Sequence, residues 1–481
     1  MNHRPGLDRS QTLLFPERLE DYIAPENPVR FLDAFVAKQD LFGLGFTKAR
    51  CADTGRPPYD PAMLLKLYLY GYLHRGRSSR LLEAECQRNV EVIWLTGKQN
   101  PDFKTIADFR KDNLKPLQAI ARQFTLLCRK LELFGGELLA IDGSKFAAVN
   151  ARDQNFNADK LQDLIARADA RLAEYFQQLD TADAAEPNAT PLTPPELAAK
   201  IAVLQDRQDW HKELLAQLDG EQKQVSVTDP DARKLPTAHG TVVGYNAQLA
   251  VDAKHKLIAA DDVTNEGTDW HQLASVALQA QTNLAINQAE VLADAGYYNA
   301  AEVSRCTEHG LTPWIPKSDT SANTARGLYG KSQFQYDAAK DVYICPAGGT
   351  LTYRFSTHEL GRELKYYRAK GCQDCALKNR CMRNKANRTI TREENEHLME
   401  AMATRMQAQP GKFKLRKTLA EHPFGTIKRW FGYTHFLLKG LEKVRTEWSL
   451  TTLAYNLKCV LNLVSFEKLM QAVAVKVAPR A

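Results

Sequence analysis

Two short stretches of this chain run apolar residues straight into a carboxylate. In "ELLAIDGSKFAAVN", Leu138 to Ile141 lead into Asp142 and Gly143, and in "AEVLADAGYYN", Val291, Leu292 and Ala293 lead into Asp294, followed by Ala-Gly. Asp-Gly is a strong turn signal, so a solvated turn is one reading of the first stretch. A metal site is the other. Two carboxylates converging in a partly buried place raise each other's pKa unless a cation compensates. Magnesium prefers oxygen ligands and keeps several waters, which suits such a pair where phosphate is the substrate. Two ions about 3.5–4 Å apart can activate an attacking oxygen and stabilise a leaving one during in-line displacement. That scheme needs a third acid.

After residue 390 the candidates include Glu393, Glu394, Glu396, Glu421, Glu442 and Glu447. Glu421 stands out as the lone acid in "KFKLRKTLAEHPFGTIKRWFG", a basic helical segment whose other face carries Phe413, Leu419, Phe424 and Ile427. Lys428 follows Glu421 by seven residues, which at 100° per residue puts the two on nearly one face. An acid for a metal with a lysine two turns along suits a phosphodiester passing over that face; a surface salt bridge is the plainer alternative. Pro423 either kinks this helix or sits in the first turn of a new one. Asp229, Asp231, Asp252, Asp262 and Asp269 are rival acids. Asp229 and Asp231, in the turn-rich "TDPDAR", are read as assisting the site, and the others as capping or strand-end residues.

Charge is concentrated. The chain carries a net +7, and between Lys412 and Arg445 nine Lys or Arg stand against Glu421 and Glu442, an excess equal to that of the whole chain. With Phe413, Trp430, Phe431, Tyr433 and Phe436 interleaved, this segment can neutralise phosphates and stack on bases or sugars, or it can be a solvated basic face. Cysteine usage points elsewhere. Nine is an odd number, so a disulfide framework is not expected, and Cys51, Cys86, Cys128, Cys306 and Cys459 read as core thiols. Cys345, Cys372, Cys375 and Cys381 are clustered in "CPAGG…GCQDCALKNRC". They form either a structural zinc site, closed by four thiolates and without an open position for hydrolysis, or a set of reduced metal-free thiols.

The elements that must position these residues follow from pattern. Residues 1 to about 130 read as short helices, with Asp60 as N-cap and Pro61 at the first helical position. Another begins in "NPDFKTIADFRKDN", from which Lys104, Arg110 and Lys111 project. Short helices joined by tight turns resemble a helix-turn-helix arrangement, although small bundles look similar. Asp142 then ends the first strand. Residues 153–220 form two amphipathic helices around an Ala/Pro/Thr-rich linker, 181–195, as an inserted helical hairpin. "TVVGYNAQLAVD" and "HKLIAADDVTN" alternate as a hairpin of strands, a helix spans 269–287, and "LTPWIPK" is a further strand. If the strands leading to Asp142 and Asp294 are neighbours, both acids lie at one edge of a sheet.

At 481 residues, 44% hydrophobic and 25% charged, the chain has the composition of a globular protein of two or three domains. No run of about 18 uncharged apolar residues occurs, so no membrane span is expected. A cytoplasmic protein is the default.

The order IDGSKF, DPDARK, GYNAQLAVD, LADAGYYN, the Cys segment and EHPFGTIKRWFGYTHFLLKGLEKVRTEWSLTTLAYNLK resembles bacterial insertion-sequence transposases of the DDE type. It is similar to the group named insertion sequence eleven eighty-two. "TGRPPYDP", "YGYLHRGRSSRLLEAECQRNVEVIWL" and "PDFKTIADFRKDN" match that group as well, so the resemblance covers nearly the whole chain. It implies an α/β fold: a ribonuclease-H-like mixed sheet flanked by helices over 133–467, with a helical hairpin insertion at 153–220 and a Cys-rich insertion at 320–395. A helical N-terminal DNA-binding domain (1–132) precedes this core, and a tail (468–481) follows it. The implied catalytic acids are Asp142, Asp294 and Glu421, holding two magnesium or manganese ions. The family's tyrosine–arginine–glutamate–lysine signature fits at Glu421 and Lys428, whereas Lys417 stands in the Arg position and Lys414 in the Tyr position. Transposon-end and target DNA are the implied partners, bound by a homodimer or higher oligomer associated with the nucleoid. Lys428, Arg429, Arg416, Lys417, Lys145, Arg110, Lys104 and Trp430 are the candidate DNA contacts. An inactive DNA-binding derivative and a metal-dependent nuclease without strand transfer are the alternatives.

Overall fold

A computed structural model of the chain describes residues 18–51, 54, 57–149, 154–183, 194–218, 224–237, 240–317, 322–359, 362–383 and 386–474. Its N-terminal part is helical: α1 (Pro28–Ala37), α2 (Pro61–Leu73), α3 (Ser79–Arg88), α4 (Val90–Thr96), α5 (Phe103–Asp112) and α6 (Leu114–Lys130). Local chemistry starts several of them. The side chains of Asn27, Asp60, Asn89 and Asp102 accept from backbone N–H groups of the first turns of α1, α2, α4 and α5. Pro61 opens α2 as expected, and α2 is apolar nearly all round because other helices surround it.

The chain then forms β1 (Leu138–Ala147), β2 (Asn155–Asn157), α7 (Ala158–Asp183), α8 (Pro194–Ala216) and β3 (Gln224–Ser226). Helices α7 and α8 pack antiparallel, with Leu161 beside Leu214 in a small core, and β2 pairs with β3 at their base. Most of the linker expected at 181–195 lies outside the described residues. Next come β4 (Arg233–Thr237), β5 (Gly240–Asp252), β6 (Ile258–Thr264), α9 (Leu273–Leu284), β7 (Ala289–Leu292), α10 (Ala300–Glu308) and β8 (Leu311–Trp314). Strands β5 and β6 form the antiparallel pair foreseen in the sequence. The main sheet has the order β4-β5-β1-β7-β8, with β6 also on β5. Pairing is antiparallel between β1 and β5, and parallel from β1 to β7 and from β7 to β8.

Asp142 does not end its strand. β5 keeps pairing with β1 beyond it, Ser144 opposite Ala247 and Phe146 opposite Tyr245, so β1 runs on to Ala147. What stops nearby is the parallel neighbour, whose last pair is Ala140 with Leu292.

The Cys-bearing stretch contains α11 (Ala322–Ala325), β9 (Gln335–Asp337), β10 (Val342–Ile344), β11 (Thr350–Glu359), β12 (Arg362–Ala369), α12 (Lys378–Cys381) and β13 (Thr389–Glu393). Its strands make an antiparallel meander, β13-β12-β11-β10-β9. The chain closes with α13 (Glu396–Ala408), α14 (Leu415–Gly425), a π-helical turn at Thr426–Trp430, α15 (Leu441–Leu463) and α16 (Phe466–Ala474). No helix among the described residues is long and apolar enough to cross a membrane.

Two cores cover the two faces of the main sheet. On one, Phe146, Tyr245 and Leu249 join Phe424, Phe436 and Trp448 and continue into the N-terminal helices through Phe31, Tyr72 and Phe124. On the other, Leu139, Ile141 and Val291 pack on α9, α10 and α13. The N-terminal helices thus share one apolar core with α15.

A buried ion pair locks that junction. Arg77 Nη1 lies 2.9 Å from Oε1 of Glu447, a side chain with no solvent exposure. Glu447 also accepts from the backbone N–H groups of Leu437 and Leu438, and Arg77 donates to the His435 carbonyl and lies 4.0 Å above the Tyr433 ring. Glu447, one of the candidate third acids, is therefore an anchor of the fold. Asp229 and Asp231, expected to assist the site, are also structural: Asp229 accepts from Tyr245 Oη and Gly440 N, and Asp231 from Leu441 N, fixing the start of α15. Removing one partner of a buried pair leaves an uncompensated charge, so Arg77→Ala is expected to lower unfolding free energy by about 3–5 kcal/mol. Urea denaturation of the two proteins measures this.

Candidate active site

Register brings the two aspartates together. Extending the parallel β1–β7 pairing two places past Ala140 and Leu292 reaches Asp142 on one strand and Asp294 just beyond the other. Asp142 accepts from Gly143 N at 3.0 Å, and Asp294 caps the short helical turn Ala295–Tyr297 by accepting from Gly296 N at 2.8 Å. A third carboxylate, Asp269, arrives from the loop before α9. Asn246 and Gln248, alternate residues of β5, donate to its Oδ1 at 2.6 and 2.7 Å.

The glycines beside these acids serve close approach. A Cβ at Gly143 would lie 2.4 Å from Gln248 Nε2 and 2.6 Å from Asp269 Oδ1, and one at Gly296 would lie 2.9 Å from Asp294 Oδ1. Asp-Gly at 142–143 is thus a gap in a strand rather than a turn.

Electrostatics shows how closely the three acids sense one another. Burial pushes the Asp142 carboxyl from 3.8 up to about 6; Arg416 opposes this, and Asp294 and Asp269 reinforce it. Tyr297, whose hydroxyl donates to Gln248, is raised well above its ordinary value by burial and then by Asp269, Asp142 and Asp294. Two cations offset the repulsion. Arg416 Nη1 lies 3.0 Å from Asp142 Oδ2, and Lys145 Nζ lies 3.6 Å from Asp269 Oδ1.

The basic segment lies against this cluster. Ala420 and Leu419 of α14 pack on Ala140 of β1, which carries Arg416 to Asp142. Pro423 stays inside α14 and starts no new helix, and the chain passes on into the π-helical turn. From that turn Lys428 donates to Ser144 Oγ at 2.6 Å and to the Lys145 carbonyl at 3.1 Å. Burial lowers its pKa. Glu421 is exposed on α14 and is not among the charges that act on Asp142, so the structure joins Asp269 rather than Glu421 to the two aspartates. No group of three or more His, Cys, Asp or Glu among the described residues is closed into metal-site geometry.

The other candidates have varied surroundings. Lys417, Arg429 and Lys104 are exposed. Trp430 is 38% exposed, with Arg75 and Lys458 against its ring at 4.4 and 3.6 Å. Arg110 does not project from α5. It is buried against Tyr72 and Tyr68, because its position on α5 faces α2. Cys51 is exposed rather than a core thiol, whereas Cys345, Cys372, Cys375 and Cys381 line one small cavity.

Residues 344–461 match the family described as "Transposase DDE domain", and residues 17–112 match "Transposase domain (DUF772)". These matches support a DDE-type transposase family. Glu421 and Lys428 fall within the first span, while Asp142 and Asp294 lie outside both. No curated protein matches the chain. A solved piggyBac transposase synaptic complex with hairpin DNA aligns over 93% of this chain and 79% of that chain, at 10% identity and a TM-score of 0.31, too slight a likeness to carry an argument.

Sequence reasoning missed Asp269 as a member of the cluster and Arg416 as the partner of Asp142. The two amides Asn246 and Gln248, on one face of an otherwise apolar strand, were the available signal for the first. Folding raises the Asp142 pKa, so its contribution to stability is complete below the unfolded value near 4 and is lost as pH rises through about 6. Asp142→Asn is accordingly expected to be more stable than the native chain at pH 8, by up to about 3 kcal/mol, with most of the gain gone at pH 4. Denaturant melts at both pH values check it.

Proposed function

We propose that this chain is a DNA transposase of the insertion sequence eleven eighty-two group, built on a ribonuclease-H-like core. It cleaves phosphodiesters at the ends of its element and joins the freed 3′-hydroxyl to target DNA. One observation carries the reading: the β1–β7 register brings Asp142 and Asp294 together where the parallel pairing of the two central strands ends, beneath a basic helical segment. The sheet order, with parallel β1-β7-β8 beside antiparallel β5 and β6, supports the proposed core.

Asp142, Asp294 and Glu421 are the proposed ligands of two magnesium or manganese ions. Carboxylate oxygens suit such cations, and burial, reinforced by Asp294 and Asp269, disfavours the charged form of Asp142, a penalty that a bound cation would relieve. When bound, the ions supply activation of the attacking oxygen and stabilisation of the leaving one.

The chain's own groups do the rest. Arg416 neutralises Asp142 in the free protein and is placed to turn to a phosphate once that charge is taken up elsewhere. Lys428, held between Ser144 and Phe146, presents a fixed ammonium beside the cluster, and Lys145 does the same through Asp269. Lys417 and Arg429 extend the basic surface along the DNA backbone, joined by Lys104 and Trp430. Fixed charges of this kind act through positioning and electrostatic stabilisation. Two element ends must be held together, which calls for a dimer or higher oligomer on DNA.

A strand-transfer assay with a labelled element end and a target plasmid, in magnesium, tests the proposal. Cleavage and joined product are expected, each reduced at least about 100-fold in Asp142→Asn, Asp294→Asn and Glu421→Gln, with end binding retained. Cleavage without joining identifies a nuclease instead, and binding without either identifies an inactive derivative. If Asp269→Asn abolishes cleavage while Glu421→Gln does not, the third ligand is Asp269. Lys428→Ala is expected to weaken DNA binding and to reduce the slope of log affinity against log salt by about 1. Titrations at several salt concentrations measure that slope.

A further inference from the structure

We infer that Cys345, Cys372, Cys375 and Cys381 bind one zinc ion, which staples the end of the β9–β13 sheet. Topology brings the thiols together. β10 and β12 flank β11 and run in the same direction, so the turns after Ile344 and Ala369 leave the sheet at one end. The first turn carries Cys345; the second carries Cys372 and Cys375, and the short helix α12 ends in Cys381. All four side chains line one small cavity whose other walls include Leu377, Met382 and Ala369.

The first turn has the form of a thiolate cradle. Gly348 N donates to the Cys345 carbonyl, Cys345 N to the Gly349 carbonyl, and Gly349 N to Cys345 Sγ at 3.2 Å. Gly348, with φ of +79°, permits this reversal.

The sheet also has little else to hold it. Its buried apolar residues are Phe334, Tyr343, Leu351, Tyr367, Ala369 and Ile390, and β11 is mostly exposed. A core of this size is marginal without a metal or another crosslink. The thiols are not closed to ligating geometry among the described residues, so zinc capture draws the two turns together. Four S–H protons pass to solvent as four Zn–S bonds form, which leaves no open coordination position.

The full chain, purified without added metal, is expected to contain one zinc ion per chain by elemental analysis. Cobalt exchange into the native protein is expected to give the visible and near-ultraviolet bands of a tetrahedral thiolate site. Cys372→Ser and Cys375→Ser are expected to lower zinc affinity at least about tenfold. Stripping the native chain with a chelator is expected to speed amide exchange in β10–β12 while leaving that of β1 and β7 unchanged. Should the variants fail to fold, the cobalt spectrum of the native chain decides. A zinc-free protein with four thiols freely reactive toward a disulfide reagent overturns the inference, as does a cobalt spectrum without thiolate bands. Neither result bears on the carboxylate site, whose acids lie on the main sheet.

Discussion

The alignment of β1 with β7 governs where this molecule can do chemistry. Three residue pairs, ending at Ala140 and Leu292, fix it. Side chains alternate between faces of a strand, so a slip by one residue would turn Asp142 away from α14 and place its apolar neighbours there instead. The apolar residues on both strands prevent that slip. Leu139, Ile141 and Val291 are fully buried against α9, α10 and α13, while Ala140 meets Leu419 and Ala420 of α14. The acids are held where the β1–β7 pairing ends by the hydrophobic residues that precede them.

Holding them there has an electrostatic cost. Asp142 is largely withdrawn from water, near two other carboxylates, and its proton affinity rises accordingly. The structure answers with two cations, Arg416 on α14 beside Asp142 and Lys145 on β1 beside Asp269, and with neutral amide donors to Asp269 from Asn246 and Gln248 on β5. Lys428 belongs to the same arrangement because the π-helical turn brings its ammonium to Ser144, two residues from Asp142 along the strand. A wide turn of this kind shifts the facing of every residue after it, and such turns recur at functional sites.

Helix α15 ties this site to the rest of the chain. Glu447 meets Arg77 from the N-terminal helices, Trp448 covers Phe146 and Phe424, and Ser449 and Thr452 donate to Asp261 of β6. Asp229 and Asp231 set where α15 begins. A single helix thereby contacts the N-terminal helices, strands β5 and β6 and the aromatic cluster behind Asp142, so a disturbance at Arg77 reaches the main sheet through one rigid element.

The sequence determined a good deal alone, because some signals are local. Apolar runs leading into Asp142 and Asp294, the Asp60–Pro61 helix start and the amphipathic α7 depend only on neighbouring residues, and the fold keeps them, whereas β5 and β6, paired as expected, are buried at most positions on both faces rather than alternately. Other assignments required the third dimension. Asp142 lies within a strand because β5 continues beside it; Arg110 is buried because α5 turns that face to α2. Glu447, Asp229 and Asp231 became anchors once α15 arrived, and Asp269 joined the acids through β5 amides from 21 to 23 residues away. The ion pair of Arg416 with Asp142 joins residues far apart in the chain, and nothing in the sequence spacing encodes it. Periodicity records which way a side chain faces, whereas the charge it meets there is decided by tertiary packing.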